Sequence, residues 1–245
     1  MKSVSWFANE DLWKDLYDWL FPAARFQSAK EEVEKILALT NVRSGNVLDL
    51  CCGRGRHSYE LARLGFNVVG VDASKFLLNK AKELCLNFGN VEFVHADMRD
   101  FVRPGQFDLV INMFTSFGYF EDQDDNMKVL RNIKKSLKSG GKLLMEMVSK
   151  EVLLRNYRDS IVNEQGSKML IEKHSFEPGM ARMKNQWIVL EAGEYKVYSL
   201  EHYVYSGQEL RMMLQMCGFT NVELYGSLDG TAYDLNAKRL VVVAS

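Results

Sequence analysis

No two of the four cysteines, Cys51, Cys52, Cys85 and Cys217, form a C-x-x-C pair. Adjacent Cys51 and Cys52 cannot readily chelate one metal or bridge each other, so reduced thiols acting as small apolar groups near the core are expected. The four histidines are scattered, without His-x-x-x-His spacing, and no metal is expected. Net charge is almost missing, at -1, which removes the electrostatic reason to expect a nucleic-acid or membrane-surface partner. The opening MKSVSWFANEDLWKDLYDWLF carries acids and no continuous apolar run, so a signal peptide is not expected. No stretch approaches a membrane span in length, and no repeat or low-complexity segment is visible. These absences leave an ordinary soluble chain of a bacterial-type cytosol. Its 245 residues, 47% hydrophobic, suffice for one large core and an elaboration.

What is present is organised around VLDLCCGRGRHSYELA, residues 47–62. Val47 to Leu50 suits a strand buried in a sheet, the chain turns on Gly53 and Gly55, and a helical pattern follows through Leu61, Ala62 and Leu64. Strand, glycine turn and helix together hold nucleotide-like ligands, because the backbone can come close and the free N–H groups of the helix start face the ligand. A second strand, Asn67 to Asp72, ends in an acid placed to accept hydrogen bonds from ribose hydroxyls. The dinucleotide fingerprint would put a third glycine at Ser58. These two features alone do not separate a nicotinamide cofactor from another adenosine-containing ligand.

Residues before about 45 read as helical, with Leu12, Leu16 and Trp19 or Leu20 on one face and Pro22 as a stop. This aromatic leading segment either packs on the sheet or lies over the cleft as a lid; Tyr17 and Arg25 are its candidate site residues. Ser28 to Glu31 has the pattern of a capping box. A helix after Ser74, strands at 91–96 and 107–112, an aromatic loop from Met113 to Phe120 and a helix opened by the acidic run 121–125 follow. Ser139-Gly140-Gly141 is expected to end that helix, and 142–148 to be the fifth strand. The alternation is that of a doubly wound parallel α/β sheet. Period-two patterning then marks strands at 169–176, 182–190 and 194–205, a second capping box falls at 206–209, and two last strands lie at 218–224 and 239–243. The expected units are 1–157 with 206–245, and an inserted antiparallel β subdomain at 158–205.

Taken together, the ordered motifs resemble the class I S-adenosylmethionine-dependent methyltransferases. VLDLCCGRGRHSYELA is similar to that family's first motif, VVGVDAS to the second, VHADMRDF to the third and FDLVINMFTSFGYF to the fourth; LKSGGKLLMEM resembles the segment feeding strand five. The β insert before Tyr205 to Leu210, and Asp229 to Tyr233 near the end, resemble a bacterial subgroup. The family's third glycine position is His57 here, a residue open to a catalytic or a structural role. The resemblance covers about residues 40–245 and implies a Rossmann-like seven-stranded sheet closed by a C-terminal antiparallel hairpin.

It also implies roles. Asp49 would orient the glycine turn or meet the cofactor's amino group, Gly53 and Gly55 would admit its backbone approach, and Asp72 with Ala73 would hold the ribose. Asp97 and Met98 would take the adenine, and Asn112 lies at the carboxyl end of strand four, where ligands collect. S-adenosylmethionine would be the cofactor and S-adenosylhomocysteine the product. No fixed catalytic base is evident; Phe114, Thr115, Ser116, Tyr119 and Tyr233 are the candidate acceptor contacts. A small-molecule acceptor and a monomer or homodimer are expected. The alternatives are a non-catalytic protein binding the same cofactor, and a nicotinamide-dependent oxidoreductase.

Overall fold

The computed structural model describes residues 5–245. A 3-10 turn at Trp6–Ala8 leads into three short helices, α1 (Glu10–Asp15), α2 (Tyr17–Leu20) and α3 (Ala23–Gln27), then α4 (Ala29–Thr40). The first half of the sheet region follows as β1 (Asn46–Leu50), α5 (Arg56–Arg63), β2 (Asn67–Asp72), α6 (Lys75–Leu84), β3 (Val91–His95) and β4 (Phe107–Asn112). Next come α7 (Gln123–Ser136), β5 (Leu137–Met147) and α8 (Lys150–Arg155). A run of strands, β6 (Ser160–Gln165), β7 (Lys168–Phe176), β8 (Arg182–Glu191) and β9 (Glu194–Tyr203), precedes α9 (Gly207–Met216), β10 (Val222–Tyr225) and β11 (Leu240–Ala244). No helix among the described residues is long and apolar enough to cross a membrane.

Seven strands form one sheet in the order β10-β11-β5-β4-β1-β2-β3. The pairs β1–β2, β2–β3, β1–β4 and β4–β5 are parallel, while β11 runs antiparallel to β5 and to β10. Strand order reverses between β1 and β4, so the crevice beyond their carboxyl ends is where such a sheet collects ligands. One face of the sheet buries Leu130, Ile133, Leu210 and Leu214 of α7 and α9. The other buries Val33, Ile36 and Leu61 of α4 and α5. The seven-stranded sheet, its antiparallel ending and the separate small sheet match the sequence expectation.

Several local expectations are corrected. The helix ahead of β5 stops at Ser136, and Ser139 to Gly141 lie inside the strand: Leu137 already pairs with Phe107, and a register shift between Phe107 and Leu109 absorbs the extra residues. Ser28 makes no capping box. The chain enters α4 already in helical conformation from α3, and the Ser28 hydroxyl donates to Glu32 at 2.8 Å instead. The box at Ser206 and Glu209 is present on both arms. Strand β6 and helix α8 stand beside the elements read from the sequence.

The second sheet, β6-β7-β8-β9, is antiparallel throughout. Its inward side chains Leu170, Val189 and Leu200 pack on Leu12 and Leu16 of the leading segment, with Trp13, Trp19 and Trp187 around them. The N-terminal tryptophans therefore join the small sheet, while Phe7 packs against the main core and Tyr17 on Phe76 of α6.

Candidate functional site

The glycine turn is built by three successive demands. The backbone N–H of Cys52 donates to Val71, which holds the turn against β2. Gly53 then takes a left-handed φ of 55° and donates its N–H to the Asp72 carboxylate at 2.8 Å. Gly55, at φ 77°, leads into α5; a Cβ there would come within 3.0 Å of Ala81 and 3.2 Å of Phe93. Its missing side chain thus serves helix and strand packing, not a ligand. Asp49, buried beneath the turn, accepts the Ser58 hydroxyl at 2.6 Å, and burial pushes its carboxyl pKa up.

Asp72 closes β2 and is held by two backbone donors, Gly53 and Ser74, at 2.8 and 2.9 Å. Burial raises its pKa from 3.8 to about 6, and those hydrogen bonds oppose the rise. Asp97, past the end of β3, is gripped by the guanidinium of Arg99 at 2.7 to 3.1 Å. Arg99 is in turn fixed by Asp125 at 2.9 Å and lies over the Phe120 ring.

These groups open onto a cavity of about 490 Å³. Arg25, Gly53, Asp72, Ala73, Asp97 and Met98 are on its wall, and so are Phe114, Thr115, Ser116 and Tyr119. Five expected residues are off the wall. Tyr17 packs against Phe21 and edge-on to Phe76, while Asp49 and Gly55 support the turn from behind. Asn112 is buried and donates to the Leu50 carbonyl at 3.0 Å, tying β4 to β1. Tyr233 lies elsewhere: its hydroxyl meets Ser149 at 2.6 Å and Glu151 at 2.8 Å, and its ring fills the space beside Gly207.

Phe114 is the focus of the charged side of the cavity. Its φ of 64° turns the ring outward, and the guanidiniums of Arg25, Arg56 and Arg239 stand 4.1, 5.3 and 5.4 Å from its centroid. Arg239 is paired with Glu146, and Arg56 with Glu32 at 2.5 Å. Among the described residues the Arg25 guanidinium donates only to the Leu20 carbonyl, at 2.5 Å, and burial together with the neighbouring Arg56 and Arg239 charges pushes its pKa down. His57 is bound to Glu32 at 2.7 Å, so its place is in this ion network. Although burial alone would raise it, the His57 hydrogen bond and the Arg56 charge hold Glu32 at about 2.

The remaining wall comes from segments that carry no familiar motif. Trp6, Phe7 and Trp13 enter from the leading segment, and Glu172, Asn185, Trp187 and His202 from the small sheet. Burial pushes His202 down to about 4, so it is a neutral imidazole at neutral pH. Its ring sits edge-on to Tyr119, and its Nδ1 is 3.3 Å from the Asn185 amide. The indole nitrogens of Trp6 and Trp187 are buried without a hydrogen-bond partner among the described residues. The signal for this set was the strand period itself: Asn185 interrupts the inward series Met183, Trp187, Val189, and Glu172 follows inward Leu170.

A doubly wound sheet with a cavity at its switch point, two carboxylates at the ends of β2 and β3 and a glycine turn between them defines a nucleoside-cofactor-binding α/β protein. Residues 47–141 match the family model described as a methyltransferase domain. A glycine/sarcosine N-methyltransferase of Aphanothece halophytica is 28% identical over 232 residues, covering 89% of this chain and 81% of that protein. The CcbJ methyltransferase of Streptomyces caelestis superposes with a TM-score of 0.81 at 20% identity, over 100% of this chain and 98% of that one. An S-adenosylmethionine-dependent methyltransferase of Clostridium acetobutylicum ATCC 824 superposes at 0.77 with 19% identity, over 96% and 98%. The chain thus carries a methyltransferase domain over residues 47–141 and has the fold of S-adenosylmethionine-dependent methyltransferases.

Proposed function

We propose that the chain methylates a nitrogen of a small-molecule acceptor, bound where the small sheet and the leading segment wall the cavity. The observation that carries this reading is the wall itself. It combines the Asp72 and Asp97 carboxylates at the strand ends with aromatic rings, the neutral imidazole of His202 and Glu172 from the small sheet and the leading segment. The relative that methylates glycine and sarcosine on nitrogen supports an amine acceptor.

The residues present suit the cofactor. Asp72, anchored by Gly53 and Ser74, retains lone pairs for ribose hydroxyls, and Met98, Leu77 and Phe120 offer an apolar slot for a purine. Arg25, a wall guanidinium with no carboxylate partner among the described residues, suits the carboxylate of the cofactor's amino-acid end. Bound there, S-adenosylmethionine would supply an electrophilic methyl on a cationic sulfur, a good leaving group. The protein's own task is then to hold the acceptor in line and keep water out. Tyr119, Trp187 and the leading segment exclude water, and neutral His202 accepts or donates a hydrogen bond without placing a charge beside the sulfonium. The cofactor unit is taken as 1–157 with 206–245 and the insert as 158–205, with strands β6 to β9 pairing only with one another among the described residues.

The test is a coupled assay of S-adenosylhomocysteine release with a panel of amines, amino acids and hydroxylated controls, run beside calorimetry of cofactor binding. Turnover with amines, lost in Asp72→Ala together with cofactor binding, is the expected result. Turnover only with hydroxyl acceptors would overturn the nitrogen assignment. Cofactor binding without turnover on any acceptor would favour a binding protein.

A further inference from the structure

Charge is unevenly spread over the cavity wall. Arg25, Arg54, Arg56 and Arg239 stand on it, and none of them belongs to the small sheet. Arg56 and Arg239 are neutralised by Glu32 and Glu146. Arg54 lies over the rings of Phe26, at 3.8 Å, and Tyr17, at 5.2 Å, two residues that are off the wall. Arg25 is left, and the cofactor's carboxylate suits it. On the part of the wall supplied by β7, β8 and β9 the balance is the reverse. Glu172 is the charged residue there, beside Asn185, Trp187, Leu200 and the neutral imidazole of His202. Lys196, opposite inward Val189 in register, is off the wall and paired with Asp15 at 2.7 Å. Trp6, Phe7 and Trp13 of the leading segment add rings without charge.

Glu172 stands directly across from Trp187 in the β7–β8 register, so a carboxylate and an aromatic ring are presented together. One carboxylate oxygen accepts the Asn163 amide at 3.0 Å. The other is 3.9 Å from His174 Nε2, beyond hydrogen-bond reach, and keeps its lone pairs free among the described residues. Glu172 nonetheless pushes the His174 pKa up, a measure of its pull on a cation. We propose that the acceptor is an amine without a carboxylate, whose end remote from the reacting nitrogen carries a hydrogen-bond donor, an ammonium or a hydroxyl, received by Glu172. The assignment rests on the nitrogen-methylation reading above and specifies which amines satisfy it. The reacting nitrogen attacks as a free amine, so the group that Glu172 answers belongs to the other end. An ammonium there gains a charge-assisted hydrogen bond and the faces of the surrounding rings. A hydroxyl gains the hydrogen bond alone. An amino acid would bring its carboxylate against a wall whose charge has the same sign, with no free cation on the small sheet to neutralise it.

The experiment sets matched acceptors against one another: ethylenediamine, ethanolamine and glycine, then the longer putrescine, aminobutanol and γ-aminobutyrate. Turnover is read as S-adenosylhomocysteine release, and binding by calorimetry on protein saturated with S-adenosylhomocysteine. Within each set the diamine or the amino alcohol should exceed the amino acid at least about tenfold in kcat/KM and bind more tightly. Glu172→Gln should erase that preference, with S-adenosylhomocysteine affinity kept within about twofold as the control of folding. Glu172→Lys should reverse it in favour of the amino acids; if that variant does not fold, Glu172→Gln decides. Amino acids that match or exceed their partners, or a preference that survives in Glu172→Gln, would overturn the assignment and leave nitrogen methylation standing. Should all these probes fail, the preference is read on whichever amines of the wider panel turn over. Should those fail too, the nitrogen reading falls and this assignment with it.

Discussion

Asp72 is legible as the ribose acid from its place at the end of a strand, but its state is set by burial, which lifts its pKa to about 6. Ionising it costs the free protein stability: the group favours folding below its ordinary 3.8, and that contribution is lost as pH rises through 6. Ribose hydroxyls prefer the ionised form as acceptor. S-adenosylhomocysteine affinity should therefore rise between pH 5 and pH 7 in calorimetry, and Asp72→Asn should flatten the profile while losing about 2 kcal/mol, roughly 30-fold. A pH-independent wild type would sink the assignment. Glu32 behaves in the opposite sense. Held at about 2 against an ordinary 4.5, it contributes stability above pH 4.5 that disappears as pH falls toward 2. Because its side chain is 22% exposed, Glu32→Gln should cost about 2 kcal/mol in urea melts at pH 7, with the gap to wild type closing on acidification. His202 is among the wall residues that sequence reasoning passed over. His202→Ala should raise the acceptor KM or lower kcat while leaving cofactor affinity within about twofold.

At the scale of elements, the leading segment decided between two readings left open by its composition. Its periodicity announced an apolar face at Leu12 and Leu16, yet amphipathicity does not say which surface that face meets. Here it meets the small sheet, and the same segment sends Trp6 and Trp13 into the cavity. Leu16 is fully buried, so Leu16→Ala should cost about 2–4 kcal/mol locally. Hydrogen exchange should quicken in 160–203 ahead of β1 and β2; uniform acceleration would mean that the segment is instead part of the main core. Strand β5 shows the converse limit. A glycine pair reads as a helix end, but pairing of Leu137 with Phe107 across the sheet outweighed that local signal.

For the whole molecule, the parallel sheet and the insert meet around one cavity, so ligand and fold are linked. Cofactor at about 100 times its Kd should add ~2.7 kcal/mol to stability. For a chain of this size that is a rise in Tm of roughly 5–10 °C by scanning calorimetry. The same increment should be absent in Asp72→Ala. An equal shift with NAD would contradict the adenosyl specificity.

Beyond the cofactor class, which the ordered motifs imply by resemblance, the chain's sequence alone determined the alternating strands and helices of the main sheet, the glycine turn and the two acids at strand ends. Each of these is a local pattern, fixed by spacing along the chain or by a backbone conformation that few residues tolerate. Tertiary structure decided the rest. It turned Gly55 toward Ala81, took Tyr233 and Asn112 off the wall, and tied His57 to Glu32. It also gathered Trp6, Trp187 and His202 from distant segments into one wall. Side chains separated by more than a hundred residues become neighbours only through packing and strand register, and neither is written in a local period.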